Sequence, residues 1–281
     1  MALACMLLIG PSAPSGFPRH LPADAVRDVV PNRVMTWNLC NPCGSGEQNV
    51  GRAADIARFA PQVIGMQEAC VRDVEMIRDH LENLYGLVYD VEYGTVLRNR
   101  GRCGGWPWSP GGFGQAILSA APMTDRVNVE YPDGGSEDRG YMAVTTTVDG
   151  QRVRVFNTHL AQRSQEAVRA RQVDVLAKAV APHDRAIVLG DFNAVPYSPE
   201  LTDMWELATD AARECRPSPA DTCEPTTDWH LKFDYVFLRG VTARGHRVHP
   251  SSYSDHHLLY GDVDTSRSER AGTGATARRG A

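Results

Sequence analysis

The chain has 281 residues, 42% of them hydrophobic and 22% charged, which supplies enough apolar material for a large core and excludes a disordered or fibrous chain. A net charge of -5 excludes a protein that grips nucleic acid by bulk positive charge. It leaves room for a metal-dependent enzyme, whose own carboxylates are offset by a bound cation.

Residues 1–25 read as a signal-like leader or a disordered N-terminus. The apolar run Ala2 to Ile9 is followed by Gly, Pro, Ser and Ala, as in a secretory signal, but no basic residue precedes it. The run is too short to span a bilayer. There are seven cysteines, and removal of a leader with Cys5 leaves six, the arithmetic of a secreted protein with disulfides. Cys215 and Cys223 flank a Pro-rich loop and are expected to pair, while Cys40, Cys43, Cys70 and Cys103 admit three pairings. Cys40-x-x-Cys43 also fits zinc or redox chemistry, but a zinc ribbon needs a second such pair, which is absent from the sequence.

Arg33 to Leu39 alternates and predicts a strand. Gly51 to Ala60 predicts a helix ended by Pro61, Val63 to Glu68 a buried strand, Val71 to Leu84 an amphipathic helix, and Leu87 to Val96 another strand. Arg98 to Gly114 is a Gly-, Pro- and Trp-rich loop, a composition suited either to function or to a disulfide-pinned surface loop. Gln115 to Ser119 and Val127 to Tyr131 read as strands, and Tyr141 to Thr147 with Arg152 to Thr158 as a hairpin about Asp149-Gly150. Ser164 to Val180 predicts a helix, Ile187 to Leu189 a buried strand stopped at Gly190, and Glu200 to Ala211 a helix started by Ser198-Pro199. Phe233 to Leu238, Arg244 to Val248 and His257 to Val263 are the last strands. One domain over 31–264 and a disordered tail over 265–281 follow from this reading.

Polar residues that are costly to bury unpaired recur where these strands end or begin. They are Asn38, Glu68, Asn157 with His159, Asp191 with Asn193, Asp234, and Asp255 with His256. Asp191 and Asn193 are two apart, which puts them on one side of an extended chain, although both also favour turns. Six such places on separate strands, mixing carboxylate, amide and imidazole, suit a metal-bound, phosphate-facing site.

The motifs carrying these residues resemble those of the endonuclease/exonuclease/phosphatase superfamily, the DNase I-like fold. They are Thr36-Trp37-Asn38, Ile64-Gly-Met-Gln-Glu68, Gly114-Gln-Ala-Ile-Leu-Ser119, Asn157-Thr-His159-Leu, Leu189-Gly-Asp191-Phe-Asn193-Ala, Phe233-Asp234-Tyr-Val-Phe and Ser254-Asp255-His256, in the family's order. The resemblance implies a four-layer α/β sandwich, two packed mixed β-sheets flanked by helices, with the site at one end. It implies that Glu68, with Asn38 and Asp255 near it, holds a divalent cation, Mg²⁺ with Mn²⁺ as substitute. It implies that Asp191 and Asn193 position the scissile phosphate and attacking water, that His256 works as acid or base oriented by Asp234, and that His159 is a second phosphate donor. Either Asp191 or His256 is eligible to activate the water. Cys40 stands where repair members carry an Asp, which argues against a second metal, and the Thr-His-Leu setting of His159 resembles the secreted branches.

Arg163, Trp106 and Trp108 are further candidates for substrate contact, the arginine for phosphate and the tryptophans for bases or a lipid interface. His257 is expected to point away from the site. The expected function is a secreted, monomeric, metal-dependent phosphodiesterase acting on nucleic acid. The alternatives are the same chemistry on a phospholipid, as in sphingomyelinases, or on a small phosphoester. A non-catalytic binding protein on this fold would require the loss of a site residue, and none is lost.

Overall fold

The computed structural model describes residues 26–41, 46–162, 164–218 and 223–266. The expectations for the leader, Cys43, Arg163 and residues 267–281 lie outside the described residues. The first half of the chain runs β1 (Val30–Asn38), α1 (Asn49–Phe59), β2 (Pro61–Cys70), α2 (Val71–Tyr85), β3 (Asp90–Arg98), α3 (Arg100–Cys103), β4 (Gly105–Trp106), β5 (Ser109–Pro110), β6 (Gly112–Ser119) and β7 (Thr124–Glu130). The second half runs β8 (Gly140–Val148), β9 (Gln151–His159), α4 (Glu166–Val180), β10 (Ala186–Asp191), α5 (Thr202–Leu207), β11 (Thr209–Asp210), β12 (Asp234–Arg239), β13 (Thr242–His249) and β14 (Leu258–Asp264).

Two six-stranded mixed sheets form, in the orders β13-β14-β1-β2-β6-β3 and β11-β12-β10-β9-β8-β7. The side-chain period of two explains how they stack. In β1, Val34 joins the cluster between the sheets, while Met35 and Trp37 lie beneath Ala53 and Ile56 of α1 and Val74, Ile77 and Leu81 of α2. In β10, Ile187 and Leu189 face the first sheet, while Val188 packs with Leu176 of α4 and Met204 of α5. The expected four layers are thus present: helices, sheet, sheet, helices.

The inward-facing positions become polar toward one end of the sandwich. Val34, Thr36 and Asn38 succeed one another along the inner face of β1, and Val155, Asn157 and His159 along that of β9. Gln67 Nε2 donates to Thr36 Oγ1 at 3.0 Å and to Asn157 Oδ1 at 2.6 Å, and Asn157 Nδ2 donates across the seam to the Met66 and Ala116 carbonyls. Gly65 leaves room for this layer, since a Cβ there would stand 2.7 Å from Asn157 Oδ1. The parallel strands β1, β2, β9 and β10 all run toward this end, and β12 and β14 begin there.

Three segments depart from the expectations drawn from sequence. Glu200 to Ala211 is no single helix. A 3-10 turn over Pro199–Leu201 leads into α5, and Thr209 and Asp210 then pair with β12 as a short strand. That pairing places buried Asp210 2.9 Å from buried Lys232, a tertiary contact that overrides helix propensity. The Trp-rich loop contains α3 and the β4–β5 ribbon, and Cys70 and Cys103 are joined beneath it. Thr265 is not tail: its side chain is buried and Oγ1 donates to the Val148 carbonyl. Cys215–Cys223 pair as expected, and Cys40 is disulfide-bonded too, which removes its thiolate from any zinc site.

Candidate active site

A cleft of about 340 Å³ opens at the polar end of the seam, lined among others by Glu68, Arg139, His159, Asp191, Asn193, Trp229, Asp255 and His256. Asn38 stands behind it and donates from Nδ2 to Asp191 Oδ2 at 3.0 Å, so the two sheets meet in this bond.

Asp191 closes β10, where Gly190 is needed because a Cβ would collide with the Thr158 carbonyl of the neighbouring strand. Asp191 and Asn193 do not lie along an extended chain. Asn193 has φ +50°, and its backbone N–H donates to Asp191 Oδ1 at 2.8 Å. The turn preference of Asp and Asn wins over strand alternation, and the turn itself aims both side chains at the cleft. Glu68 is likewise not a strand terminus. It sits at a bulge between Met66 and Ala69 with φ +48°, which swings its carboxylate out of β2 while Gln67 stays in the seam. Cys40, also lining the cleft, has φ +49°. Each such backbone costs about 1–3 kcal/mol, and their gathering at one cleft is what a functional site maintains against strain.

His256 is held by its backbone. Its carbonyl accepts from Trp37 Nε1 at 3.0 Å, and its N–H donates to Ser254 Oγ, which in turn donates to the Asn38 carbonyl at 2.7 Å. These bonds give a physical reason for Trp-Asn and Ser-Asp-His to occur together. The imidazole Nδ1 lies 2.9 Å from Asp234 Oδ2, and Nε2 lies 3.7 Å from Asp191 Oδ2. Burial works against the charged ring, but Asp234 and Asp191 outweigh it and push the His256 pKa up to about 10. Burial, opposed by His256 and reinforced by Asp234, pushes the Asp191 pKa up to about 7. Asp234 Oδ1 is buried without a hydrogen-bond partner among the described residues, so the anion's charge is directed at His256.

His159 is the opposite case. Burial first, then the positive charge of Arg139 and His256, hold its pKa well below the usual imidazole value. Arg139 Nη1, an obligate donor, meets Nδ1 at 2.9 Å, and the Asn193 amide nitrogen meets Nε2 at 3.1 Å, so both ring nitrogens face donors and a neutral ring is favoured. Nε2 also lies 3.4 Å from Asp191 Oδ2, and the Asn193 amide donates to the Leu160 carbonyl at 3.1 Å.

Asp191, Asp234 and His256 offer ligand atoms within 4.8 Å of one another, a buried group able to hold a metal ion. In that group His256 Nδ1 is already engaged by Asp234 at 2.9 Å, which leaves only Nε2 for a ligand bond. Glu68 suits a metal better. Burial raises its pKa, Arg139 and a hydrogen bond from Asn38 lower it, and its oxygen stands 3.9 Å from His159 Nε2 at the cleft wall. The carboxylates of Glu68 and Asp255 line the same cleft and are hard oxygen donors that fit a divalent cation, whereas Asn38 turns its amide nitrogen to Glu68 and Asp191 while its Oδ1 accepts from Cys40 N, so Asn38 positions Glu68 rather than offering an oxygen.

The structure therefore brings Asn38, Glu68, His159, Asp191, Asn193, Asp234, Asp255 and His256 to one place. It leaves Trp106 and Trp108 outside the cleft lining, and His257 turns to Asp228 at 3.1 Å. Four lining residues, Arg139, Gln162, Ser164 and Trp229, escape the sequence pattern. Arg139 had a signal: the Asp149-Gly150 turn fixes the hairpin register so that Gly140 lies opposite His159. Trp229, 39% exposed and edge-on to the His256 ring at 5.4 Å, sits in a loop whose course the sequence pattern does not set.

Carboxylates, amides and imidazoles from the strand ends of two packed sheets define a hydrolase cleft of the DNase I-like kind. The Endonuclease/Exonuclease/phosphatase family model matches residues 35–256, and the chain belongs to that family, whose name denotes the cleavage of phosphoesters. Solved structures share the fold at low identity. TDP2 of D. rerio, complexed with a single strand DNA product, is 17% identical, with 83% of this chain and 98% of that one covered at a TM-score of 0.65. The human Nocturnin catalytic domain is 20% identical over 83% and 93% of the two chains, TM-score 0.66. A family protein from Leptotrichia buccalis is 13% identical over 83% and 99%, TM-score 0.67. No curated protein sequence matches the chain.

Proposed function

We propose that the chain is a secreted, divalent-metal-dependent phosphodiesterase that hydrolyses nucleic acid. The observation that carries the reading is the geometry of the cleft, where Asp191 Oδ2 stands 3.7 Å from His256 Nε2 and 3.4 Å from His159 Nε2 while Asp234 backs His256 Nδ1 at 2.9 Å. With a pKa of about 7, Asp191 is matched to taking a proton from water. With a pKa of about 10, His256 is charged at neutral pH and acts as proton donor and phosphate contact rather than as base. Water attacks phosphorus, its proton passes to Asp191 Oδ2, the bond to the leaving oxygen breaks, and that oxygen takes its proton from His256 Nε2. His159 and Asn193, both lining the cleft, serve as the phosphate's side-chain contacts, and Asp234 holds the His256 tautomer. The carboxylates of Glu68 and Asp255, with Asn38 orienting Glu68, would hold a divalent cation, which would supply charge neutralisation at the phosphate.

Nucleic acid is favoured by the single strand DNA product bound to the zebrafish protein of the same fold. Export is supported by the two disulfides described and by the leader-like N-terminus. Among the described residues, no helix is long and apolar enough to cross a membrane. A second reading, a phosphocholine ester, draws on the aromatic faces of Trp229 and Phe233 beside Asp255 in the cleft, which suit a quaternary ammonium. Purified protein is to be offered single-stranded and plasmid DNA, RNA, sphingomyelin and inositol phosphates, with Mg²⁺ and with EDTA. Metal-dependent cleavage of nucleic acid is expected. Release of phosphocholine with nucleic acid left intact refutes the first reading.

A further inference from the structure

The β4–β5 ribbon presents Trp106 and Trp108 at 66% and 79% exposure, their rings stacked on one another at 5.3 Å and 16°. Leaving two indoles in water is costly, since each exposes a large apolar face. The ribbon is nonetheless built to hold them there. Cys103 is tied to Cys70, and the disulfide packs on Phe113 and Leu97. Asn99 Oδ1 accepts from Arg102 N, Asn99 N donates to the Gly111 carbonyl, and Gly111 N donates to the Gly104 carbonyl.

The surroundings are positive in a negative protein. From Tyr93 to Thr124 the sequence has Arg98, Arg100 and Arg102 and no acidic residue. Arg98 and Arg100 are exposed, and no ion pair among the described residues involves either. A relay of side chains connects the base of the ribbon to the cleft. Arg102 Nη1 meets Glu137 Oε1 at 2.6 Å, Arg139 Nη2 meets Glu137 Oε2 at 2.9 Å, and Arg139 reaches His159. Three side chains thus separate the tryptophans' base from the reacting site.

We propose that the Trp106–Trp108 ribbon is a docking surface for single-stranded nucleic acid, its indole faces continuing the stack of unpaired bases and Arg98 and Arg100 meeting the backbone phosphates. The identity of the occupant rests on the phosphodiester reading of the cleft. Stacked aromatics beside cations fit a strand's alternation of flat bases and phosphates. A lipid anchor would carry aliphatic side chains at its tip, whereas this one carries glycine, proline and serine around the indoles.

The test is equilibrium binding of a fluorescent oligothymidylate to the full chain in EDTA, which stops cleavage, across a salt series. Trp106→Ala with Trp108→Ala should weaken binding at least tenfold, and the double Phe variant should restore most of it. Arg98→Ala with Arg100→Ala should lower the slope of log affinity against log salt by about 0.7 for each phosphate no longer neutralised. The thermal midpoint is the fold control. Unchanged oligonucleotide affinity in the double Ala variant overturns the proposal, as does Trp-dependent binding to phosphatidylserine vesicles without any to the oligonucleotide. If no phosphodiester is cleaved under any condition but Trp-dependent binding persists, the cleft reading falls and the docking surface stands.

Discussion

Asp234→Asn replaces a buried carboxylate by an amide of the same shape and removes the charge that faces His256 Nδ1 at 2.9 Å. Two unit charges about 4 Å apart at an effective dielectric of about 20 interact by roughly 4 kcal/mol, or about three pKa units. The His256 pKa should therefore fall from about 10 to roughly 7, with Asp191 and Asp255 left as its anionic neighbours. A group that works in its protonated form then fails as pH rises through the new value. The alkaline limb of kcat/KM should move down by two to three units, so that at about pH 8 roughly nine-tenths of the variant lacks the acid. The assay is hydrolysis of bis-p-nitrophenyl phosphate at fixed metal across pH, beside the ring-proton titration of His256 by NMR. A limb that moves by less than about half a unit, or 0.7 kcal/mol, refutes the pairing as the source of the acid. The same shift has a stability consequence. Because the folded pKa is raised above the ordinary 6.5, the contribution is full below about 6.5 and disappears as pH rises through about 10, and the thermal gap between wild type and variant should close over that window.

Glu68→Gln should weaken Mn²⁺ binding, read by calorimetry on the substrate-free protein, by at least tenfold, the scale expected when one charged ligand becomes neutral; unchanged affinity would move the cation elsewhere. Lys232→Met leaves Asp210 buried without its cation, at a cost of about 3–5 kcal/mol, and should lower Tm by on the order of 10 °C. Adding Asp210→Leu should recover most of that stability, and no recovery would show that the charge is not the cause. Cys70→Ser with Cys103→Ser opens a 33-residue loop and should cost about 3–4 kcal/mol by urea denaturation; a cost below about 1 kcal/mol would mean that this link does not restrict the denatured chain.

The sandwich was legible because β1, β9 and β10 are apolar on alternate sides and the turn at Asp149-Gly150 is unambiguous. The site was legible because its polar residues lie where apolar runs stop. What escaped was local backbone geometry. The bulge at Glu68 and the left-handed Asn193 arise from the meeting of strands and turns, and a period-two pattern has no symbol for either. Arg139 was passed over because an arginine before a strand is ordinarily solvated, although the hairpin register sets it beside the position opposite His159, where it is buried against His159 and Glu137. The broken helix near Asp210 shows the same limit, since Lys232, which holds it in strand pairing, is distant in sequence.

The bond from Asn38 to Asp191 joins one sheet to the other at the centre of the cleft. Neither sheet owns a complete set: Asn38, Glu68 and His256 come with the first, His159, Asp191 and Asp234 with the second. A chain with either sheet formed alone holds half a reaction centre, and a register slip of one residue would turn Asp191 to the helix side. Catalysis is thus a late product of folding. A phosphoesterase built this way has no partly folded form that carries the whole site: the reacting groups meet only when its last two layers close.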